Sequence, residues 1–176
     1  MLDPPAGTAE RRPAPEEGVR PAGPEDIPGI VELAEIMHAE LEPMRGGGIW
    51  AVREARERPL EDAYRAVLDQ SDARLVVGTF DGVVDGFGAG QVECLQDGSC
   101  LGVVSDLFVH PEARGVGVGE AMLGELVEFF RAQGCVGVDA VALPGHRAAK
   151  NFFEESGFSA RAIVMHHSFR PGADGG

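Results

Sequence analysis

The stretch HPEARGVGVGEAML, residues 110–123, joins two signals that oppose each other in an ordinary helix. Gly115, Gly117 and Gly119 put the residue that most weakens helices directly before an apolar periodicity that predicts a helix. The opposition disappears if the first turn of the helix is a binding surface. Glycines between a strand and a helix let the backbone approach a ligand closely, and the free N–H groups of a helix start favour an anion such as phosphate. Arg114 adds a fork of charged donors beside this position.

Three other interpretations of the glycines make different demands on the sequence. A dinucleotide fingerprint, G-x-G-x-x-G, starting at Gly115 needs a glycine where this chain has Glu120. A nucleotide-triphosphate loop ends in Gly-Lys-Ser or Gly-Lys-Thr, and no lysine stands near the stretch. A glycine-rich turn that binds nothing is compatible with the spacing and stays open at this point.

The segments around this stretch alternate between strand and helix patterns, which predicts an α/β protein with a mixed (α+β) sheet. Asp81-Gly82 is a strong signal for a hairpin, and a strand–helix–strand succession after residue 99 implies two parallel neighbours joined by a crossover helix. The remaining strands are expected to be antiparallel. The predicted elements are strands at 18–22, 73–80, 82–96, 99–111, 135–143 and 158–169, helices at 24–43, 51–69 (kinked by Pro59), 118–133 and 144–156, and a flexible loop at 45–50.

The strand at 99–111 precedes the glycine stretch, so the direction of its side chains matters for any site there. Strict alternation divides its side chains between two faces. One face is expected to carry Val103, Ser105, Leu107 and Val109, and the other Val104, Asp106 and Phe108.

Length and composition predict one domain between two irregular ends. Residues 1–17 hold four prolines and show no periodicity, which predicts a disordered Pro-rich leader. Residues 18–169 form the single domain, and residues 170–176 a flexible tail.

The charge of the chain restricts its partners. Asp and Glu outnumber Lys and Arg by 29 to 15, a formal net charge of −14, which argues against nucleic acid and suits a cationic small molecule or peptide. The same charge also keeps a protein soluble whatever it binds. No apolar run is long enough to cross a membrane, and three cysteines without a secretory signal are typical of a cytoplasmic protein.

Two motifs in this order resemble those of the GNAT acyltransferase superfamily. The segment LFVHPEARGVGVGEAML, 107–123, resembles a strand followed by R/Q-x-x-G-x-G/A and a helix, and AAKNFFEESGF, 148–158, resembles a helix with A-x-x-F-Y that ends at Gly-Phe. The matching residues are Arg114, Gly117 and Gly119 in the first motif and Ala149, Phe152, Gly157 and Phe158 in the second.

The resemblance implies a GNAT-like fold, in which a mostly antiparallel central sheet contains a splayed parallel pair and is flanked by helices. It also implies acetyl-CoA as co-substrate, with the pantetheine arm along the backbone of 107–109, the pyrophosphate on the N–H groups of 114–120, and an oxyanion donor near Val109. His146 stands where the family often has asparagine. The cofactor-binding residues implied in this way are Leu107, Phe108, Val109, Arg114, Gly115, Val116, Gly117, Val118, Gly119, Glu120, Asn151 and Phe152.

The chemistry implied by the resemblance is direct attack of an amine on the thioester in a ternary complex, with no metal. The family's usual general acid is a tyrosine of the second motif, where this chain has Phe153, so water, Ser156 or a histidine would have to replace it. Asp106 is the predicted catalytic base, with Glu93 as an alternative. The resemblance also implies that loop 45–50 shapes the acceptor pocket, and a plain surface loop anchored by Trp50 is the alternative.

The sequence therefore predicts an acyl-CoA-dependent N-acetyltransferase that acts on a primary amine. The acceptor stays open between a small amine, with a cationic one favoured by the charge, and a peptide amine. The resemblance is compatible with a homodimer. The alternative is a CoA-binding sensor or regulatory module without catalysis, which the absent tyrosine favours.

Overall fold

The computed structural model describes residues 17–169. The predicted leader, apart from Glu17, and the predicted tail over 170–176 lie outside the described residues.

The described chain contains five strands and five α-helices. None of the helices in 17–169 is long and apolar enough to cross a membrane. The elements are β1 (Glu17–Pro21), α1 (Ile27–Leu41), α2 (Gly47–Arg53), α3 (Leu60–Leu68), β2 (Ala73–Phe80), β3 (Val83–Cys94), β4 (Cys100–Val109), α4 (Val118–Ala132), β5 (Val138–Ala140) and α5 (Arg147–Glu155).

The strands form one mixed sheet in the order β1-β2-β3-β4-β5. The pairs from β1 to β4 are antiparallel, and β4 and β5 are parallel, which confirms the predicted topology. The β2–β3 turn uses left-handed backbone at Asp81 and Gly82, with φ of 50° and 80°, as the Asp-Gly signal predicts.

Two apolar cores lie on opposite faces of this sheet. Val77 of β2 belongs to the core under α1, α2 and α3, and its neighbour Val76 belongs to the core under α4. Because successive strand residues face opposite sides, the two cores lie on the two faces. Phe152 and Phe153 of α5 pack against the α4 core.

The face of the sheet beneath α4 is lined by glycine at alternate positions of β3, in the segment GFGAGQ, residues 86–91. A Cβ atom at any of these glycines would meet a side chain of α4 at close range. The pairs are Gly86 with Met122 at 2.8 Å, Gly88 with Leu126 at 3.2 Å and Gly90 with Phe130 at 2.6 Å. The glycines therefore let large α4 side chains reach the sheet surface.

β4 contains a bulge that overturns the predicted alternation of its side chains. Ser105 has no partner in the register with β3, whereas the residues on both sides of it are paired. The extra residue turns Val104 toward the α4 core, on the same face as Leu107, while Asp106 lies on the α3 face. The prediction that Val104 shares a face with Asp106 is therefore wrong.

The segment between α1 and β2 also differs from the prediction. The predicted loop at 45–50 is partly helical, because Gly46 takes the left-handed position before α2 with φ of 82° and the helix begins at Gly47. The predicted kinked helix at 51–69 is two helices. Pro59 is the N-cap of α3 and has extended backbone. It therefore precedes the start of a helix, where proline is tolerated, and does not kink a continuous helix.

The predicted last strand at 158–169 is wrong, since residues 158–169 form no strand in the structure. Ile163, Val164 and Met165 are more than 80% exposed. A strand requires a partner edge, and β5 offers an edge of only three residues. Arg161 nevertheless forms an ion pair with Asp139 of β5.

We expect Gly102→Ala to destabilise the protein, because its Cβ would lie 2.4 Å from Cγ of the buried Phe130 ring. Overpacking of this kind costs about 1–3 kcal/mol, measured as the free energy of unfolding in urea. Gly124→Ala is the matched control on the exposed face of α4, where a Cβ meets no atom within 4 Å. That change should raise stability by about 0.5–1 kcal/mol. Equal stability of Gly102→Ala and wild type would contradict the close packing of α4 on the sheet.

Candidate active site

An open backbone edge lies along the carboxyl half of β4. The pairing of β4 with β5 ends at Val104, while the ladder with β3 continues to Val109, and the N–H of His110 donates to the carbonyl of Asp85 at 2.7 Å. Hydrogen-bonded residues alternate along an antiparallel strand, so the N–H groups of Leu107 and Val109 point away from β3. We call the space beside β4 after Val104, where β5 no longer pairs with it, the gap. Two backbone N–H groups of β4, those of Leu107 and Val109, point into this gap.

The glycine stretch forms a cradle of backbone N–H groups beside this gap. Within the described part of the chain, no acceptor binds the N–H groups of residues 114–120. Gly115 and Gly117 have left-handed backbone, with φ of 85° and 90°, and Gly117 is the N-cap of the 15-residue α4. Because only glycine adopts this conformation without strain, the cradle depends on both residues. Its donors and the positive end of the helix dipole suit a phosphate group.

The opposite wall of the cradle comes from α5. A Cβ at Gly119 would lie 3.3 Å from the ring of Phe152 and 3.6 Å from Val109, so the start of α4 packs closely on both elements. Asn151 lies beside Phe152, exposed on α5. The structure thus brings Phe152 to the start of α4, whereas the role predicted for the exposed Asn151 stays a prediction.

Arg114 has partners on the α1 side of the gap. Its guanidinium pairs with both oxygens of Glu40 at 2.7 and 3.3 Å, and its Nε donates to the carbonyl of Val109 at 3.0 Å. The same group lies 5.3 Å from the ring centroid of Phe108. The charged fork predicted beside the phosphate is therefore engaged by Glu40, and the donors left for an anion in the cradle are backbone N–H groups.

Asp106 is the centre of a buried network beneath β4. Its Oδ2 accepts from Nε of Arg56 and from the hydroxyl of Ser105, both at 2.9 Å, and its Oδ1 accepts from Tyr64 at 3.2 Å. Its side chain is only 4% exposed. Burial, and next the negative charge of Asp106, raises the pKa of Tyr64 far above its usual range. The catalytic role of Asp106 stays a prediction, because burial and three hydrogen-bond donors restrict the approach of an amine to its carboxylate.

Other residues singled out in the sequence lie in different surroundings. Glu93 pairs with Leu101 at the amino end of β4, roughly 25 Å along the strand from Val109, so the structure does not bring it to the gap. The hydroxyl of Ser156 donates to the carbonyl of Phe152. The ring of Phe153 packs against Phe152 and Phe158, each at 5.4 Å between centroids.

Sequence reasoning missed Glu40 as a site residue and gave His146 no chemical role. Glu40 lies on α1, where the helical pattern only marks it as polar, and His146 is the N-cap of α5. Their side chains meet across the gap, with His146 Nε2 at 3.8 Å from a Glu40 oxygen. The signal present in the sequence was the histidine itself, in the first turn of the helix predicted at 144–156.

Known proteins resemble this chain in sequence. The sequence model described as the Acetyltransferase (GNAT) family matches residues 33–158. A curated glucosamine 6-phosphate N-acetyltransferase from Trypanosoma brucei brucei is 33% identical over 75 residues, which are 43% of this chain and 49% of that protein. The chain thus covers about half the length of the curated relative that it matches.

Solved structures resemble the fold at low sequence identity. The aminoglycoside N-acetyltransferase AAC(6')-Iy in complex with CoA aligns with a TM-score of 0.71 at 15% identity, over 91% of this chain and 99% of that one. The glucosamine-6-phosphate N-acetyltransferase from Arabidopsis thaliana aligns with a TM-score of 0.65 at 18% identity, over 88% and 99%. At these identities the likeness concerns the fold.

We expect Asp106→Ala to lower the free energy of unfolding by about 3 kcal/mol, because it leaves the half-buried guanidinium of Arg56 without its carboxylate. Chemical denaturation measures the loss. Tyr64→Phe, which removes one donor of the same network and keeps the ring, should cost about 1 kcal/mol. If Asp106→Ala proves as stable as wild type, the ion pair does not hold β4 to the segment before α3.

Proposed function

The chain belongs to the GNAT acetyltransferase family, and we propose that it transfers an acetyl group from acetyl-CoA to a primary amine by direct attack in a ternary complex. The proposal is carried by one observation: the free backbone edge of β4 is continuous with the row of backbone N–H groups that follows it. The open edge of β4 leads directly into the unpaired N–H groups of 114–120.

The residues present fit coenzyme A. The N–H groups of 114–120 would hold its pyrophosphate, and the free edge at 107–109 would pair with its pantetheine arm as an added strand does. Phe108 is the exception within this edge, because alternation directs its N–H to β3. The N–H of Val109 would stabilise the oxyanion that forms as the thioester is attacked.

The proposed reaction forms a C–N bond and breaks the C–S bond, so the amine loses a proton and the thiolate gains one. Phe153 supplies no acid, and the hydroxyl of Ser156 already donates to Phe152. We assign the protonation of the thiolate to solvent. A thiol with a pKa of about 8.5 leaves readily near neutrality, so the step needs little help. Asp106 is one candidate for the group that accepts the proton of the amine.

We propose a cationic small amine as the acceptor. The formal charge of −14 favours the approach of cations, and Glu40 lies at the gap with its side chain 26% exposed. The names of the relatives, an aminoglycoside and a glucosamine 6-phosphate acetyltransferase, describe amino-sugar acceptors for those proteins. Peptide amines are the second class to test. The proposal includes a cytoplasmic setting, supported by three free thiols at Cys94, Cys100 and Cys135.

The first test is calorimetric titration with acetyl-CoA, followed by a thiol-release assay against a panel of amines. The panel contains an aminoglycoside, a polyamine, glucosamine 6-phosphate and a lysine peptide. We expect binding, and release with at least one cationic amine. Binding without release from any amine would favour a CoA-binding sensor over an enzyme, and absence of binding would leave the glycine stretch as a turn.

We expect Gly117→Val to weaken the binding of CoA at least tenfold, because a β-branched residue resists the φ of 90° that shapes the cradle. Calorimetry measures the affinity. Gly134→Val is the matched control, since Gly134 has φ of 77° at the other end of α4 and suffers similar strain. The control should lose stability and keep its affinity for CoA. The same affinity in Gly117→Val and wild type would remove the cradle from the binding site.

A further inference from the structure

We propose that His146, positioned by Glu40, accepts the proton that the acceptor amine loses during acetyl transfer. The inference rests on the proposed function and names the group that performs one step of it.

Four elements meet where this pair lies. Glu40 comes from the last turn of α1, His146 from the start of α5, Arg114 from the loop after β4, and Val109 from the end of β4 itself. The contacts form a chain, from the carbonyl of Val109 to Nε of Arg114 at 3.0 Å and from its guanidinium to Glu40 at 2.7 Å. The chain continues from Glu40 to Nε2 of His146 at 3.8 Å. The imidazole is thereby linked to the residue whose N–H faces the gap.

Accessibility separates His146 from Asp106. The side chains of His146 and Glu40 are 21% and 26% exposed, so an amine that enters from solvent can reach them. Asp106 is 4% exposed, and its two oxygens already accept hydrogen bonds from Arg56, Ser105 and Tyr64.

The charges around His146 suit a proton acceptor. Glu40 faces it from α1, and this carboxylate stabilises the imidazolium that forms when the proton arrives. Arg114, from the loop after β4, opposes that effect but is paired with Glu40. On α5 itself, Arg147 follows directly, and Lys150 one turn later is paired with Glu154.

The step balances in atoms and charge. The nitrogen of the neutral amine attacks the thioester carbonyl carbon, the C–S bond breaks, and its electron pair leaves with sulfur. The proton displaced from nitrogen passes to the imidazole of His146. Nε2 is the nitrogen nearest Glu40, so we assign the proton to Nδ1, which makes no capping hydrogen bond at the start of α5. The thiolate takes a proton from solvent, and the imidazolium returns its proton to solvent.

The test is the pH dependence of kcat and kcat/KM for the amine that releases most thiol from the wild-type protein. We expect His146→Gln to lower kcat about 100-fold at pH 7, the lower end of what acid–base catalysis contributes, with the affinity for acetyl-CoA unchanged. The deficit should shrink as pH rises toward 10, because hydroxide becomes abundant enough to take the proton from the attacking nitrogen in place of the imidazole. Added imidazole should restore part of the activity of His146→Ala, which a structural role would not allow.

Glu40 is a positioning residue and gives a second readout. Glu40→Gln keeps the size of the side chain and removes the carboxylate that orients the imidazole, so it should lower kcat and leave the affinity for acetyl-CoA unchanged. His166→Gln, in the exposed segment after α5, is the matched histidine control and should leave kcat and the pH profile unchanged.

The outcomes distinguish this inference from the proposed function. Release of thiol by wild type together with an unaltered profile in His146→Gln overturns the inference alone. Loss of the acid limb in Asp106→Asn, with His146→Gln fully active, assigns the step to Asp106. No release from wild type with any amine overturns both proposals.

Discussion

Buried or half-buried backbone donors require partners, and β4 meets this requirement on one side only beyond Val104. A three-residue β5 cannot follow β4 to its end, so the N–H groups near Val109 face a gap. The loop after β4 adds a second set of unpaired N–H groups over 114–120 before α4 begins. The site is thus built from backbone, and its position follows from the point at which two parallel strands stop pairing. This is where ligands of parallel strands are expected, outside the carboxyl ends.

Glycine serves two distinct purposes around this gap. Along β3 it removes side chains so that α4 can lie close to the sheet, and the substitutions that would harm it are those that add volume. At Gly115 and Gly117 there is open space, and the requirement is the left-handed backbone that turns successive N–H groups to one side. The close packing and the left-handed turn depend on each other, because the packing of α4 on the sheet fixes the position of the α4 N-terminus relative to Val109.

The elements that could be predicted are those that carry their own signal. β2 and α4 have uninterrupted periodicity and clear ends, and the Asp-Gly pair specifies its turn whatever surrounds it. The bulge at Ser105 could not be predicted, because it is a property of the pairing between β3 and β4 and leaves no mark on the alternation of β4 alone. The contact between Glu40 and His146 joins positions 106 residues apart, and no local pattern connects them. The prediction of the last strand was wrong for a related reason. Alternation indicates only that a segment is able to pair, and the edge that β5 offers as a partner is too short.

The two proposed substrates differ in the sign of their charge, and the chain has separate means for each. A net charge of −14 opposes an anionic cofactor at long range. At physiological ionic strength this repulsion is screened over about 8 Å, whereas the N–H groups of the cradle act at hydrogen-bond distance. Backbone dipoles can therefore bind phosphate in an acidic protein, even with the guanidinium of Arg114 engaged by Glu40. That engagement also leaves the gap with a compensated charge on its α1 side. An ammonium group that enters the gap therefore meets the Glu40 carboxylate held in place, and it does not meet an unpaired guanidinium of Arg114.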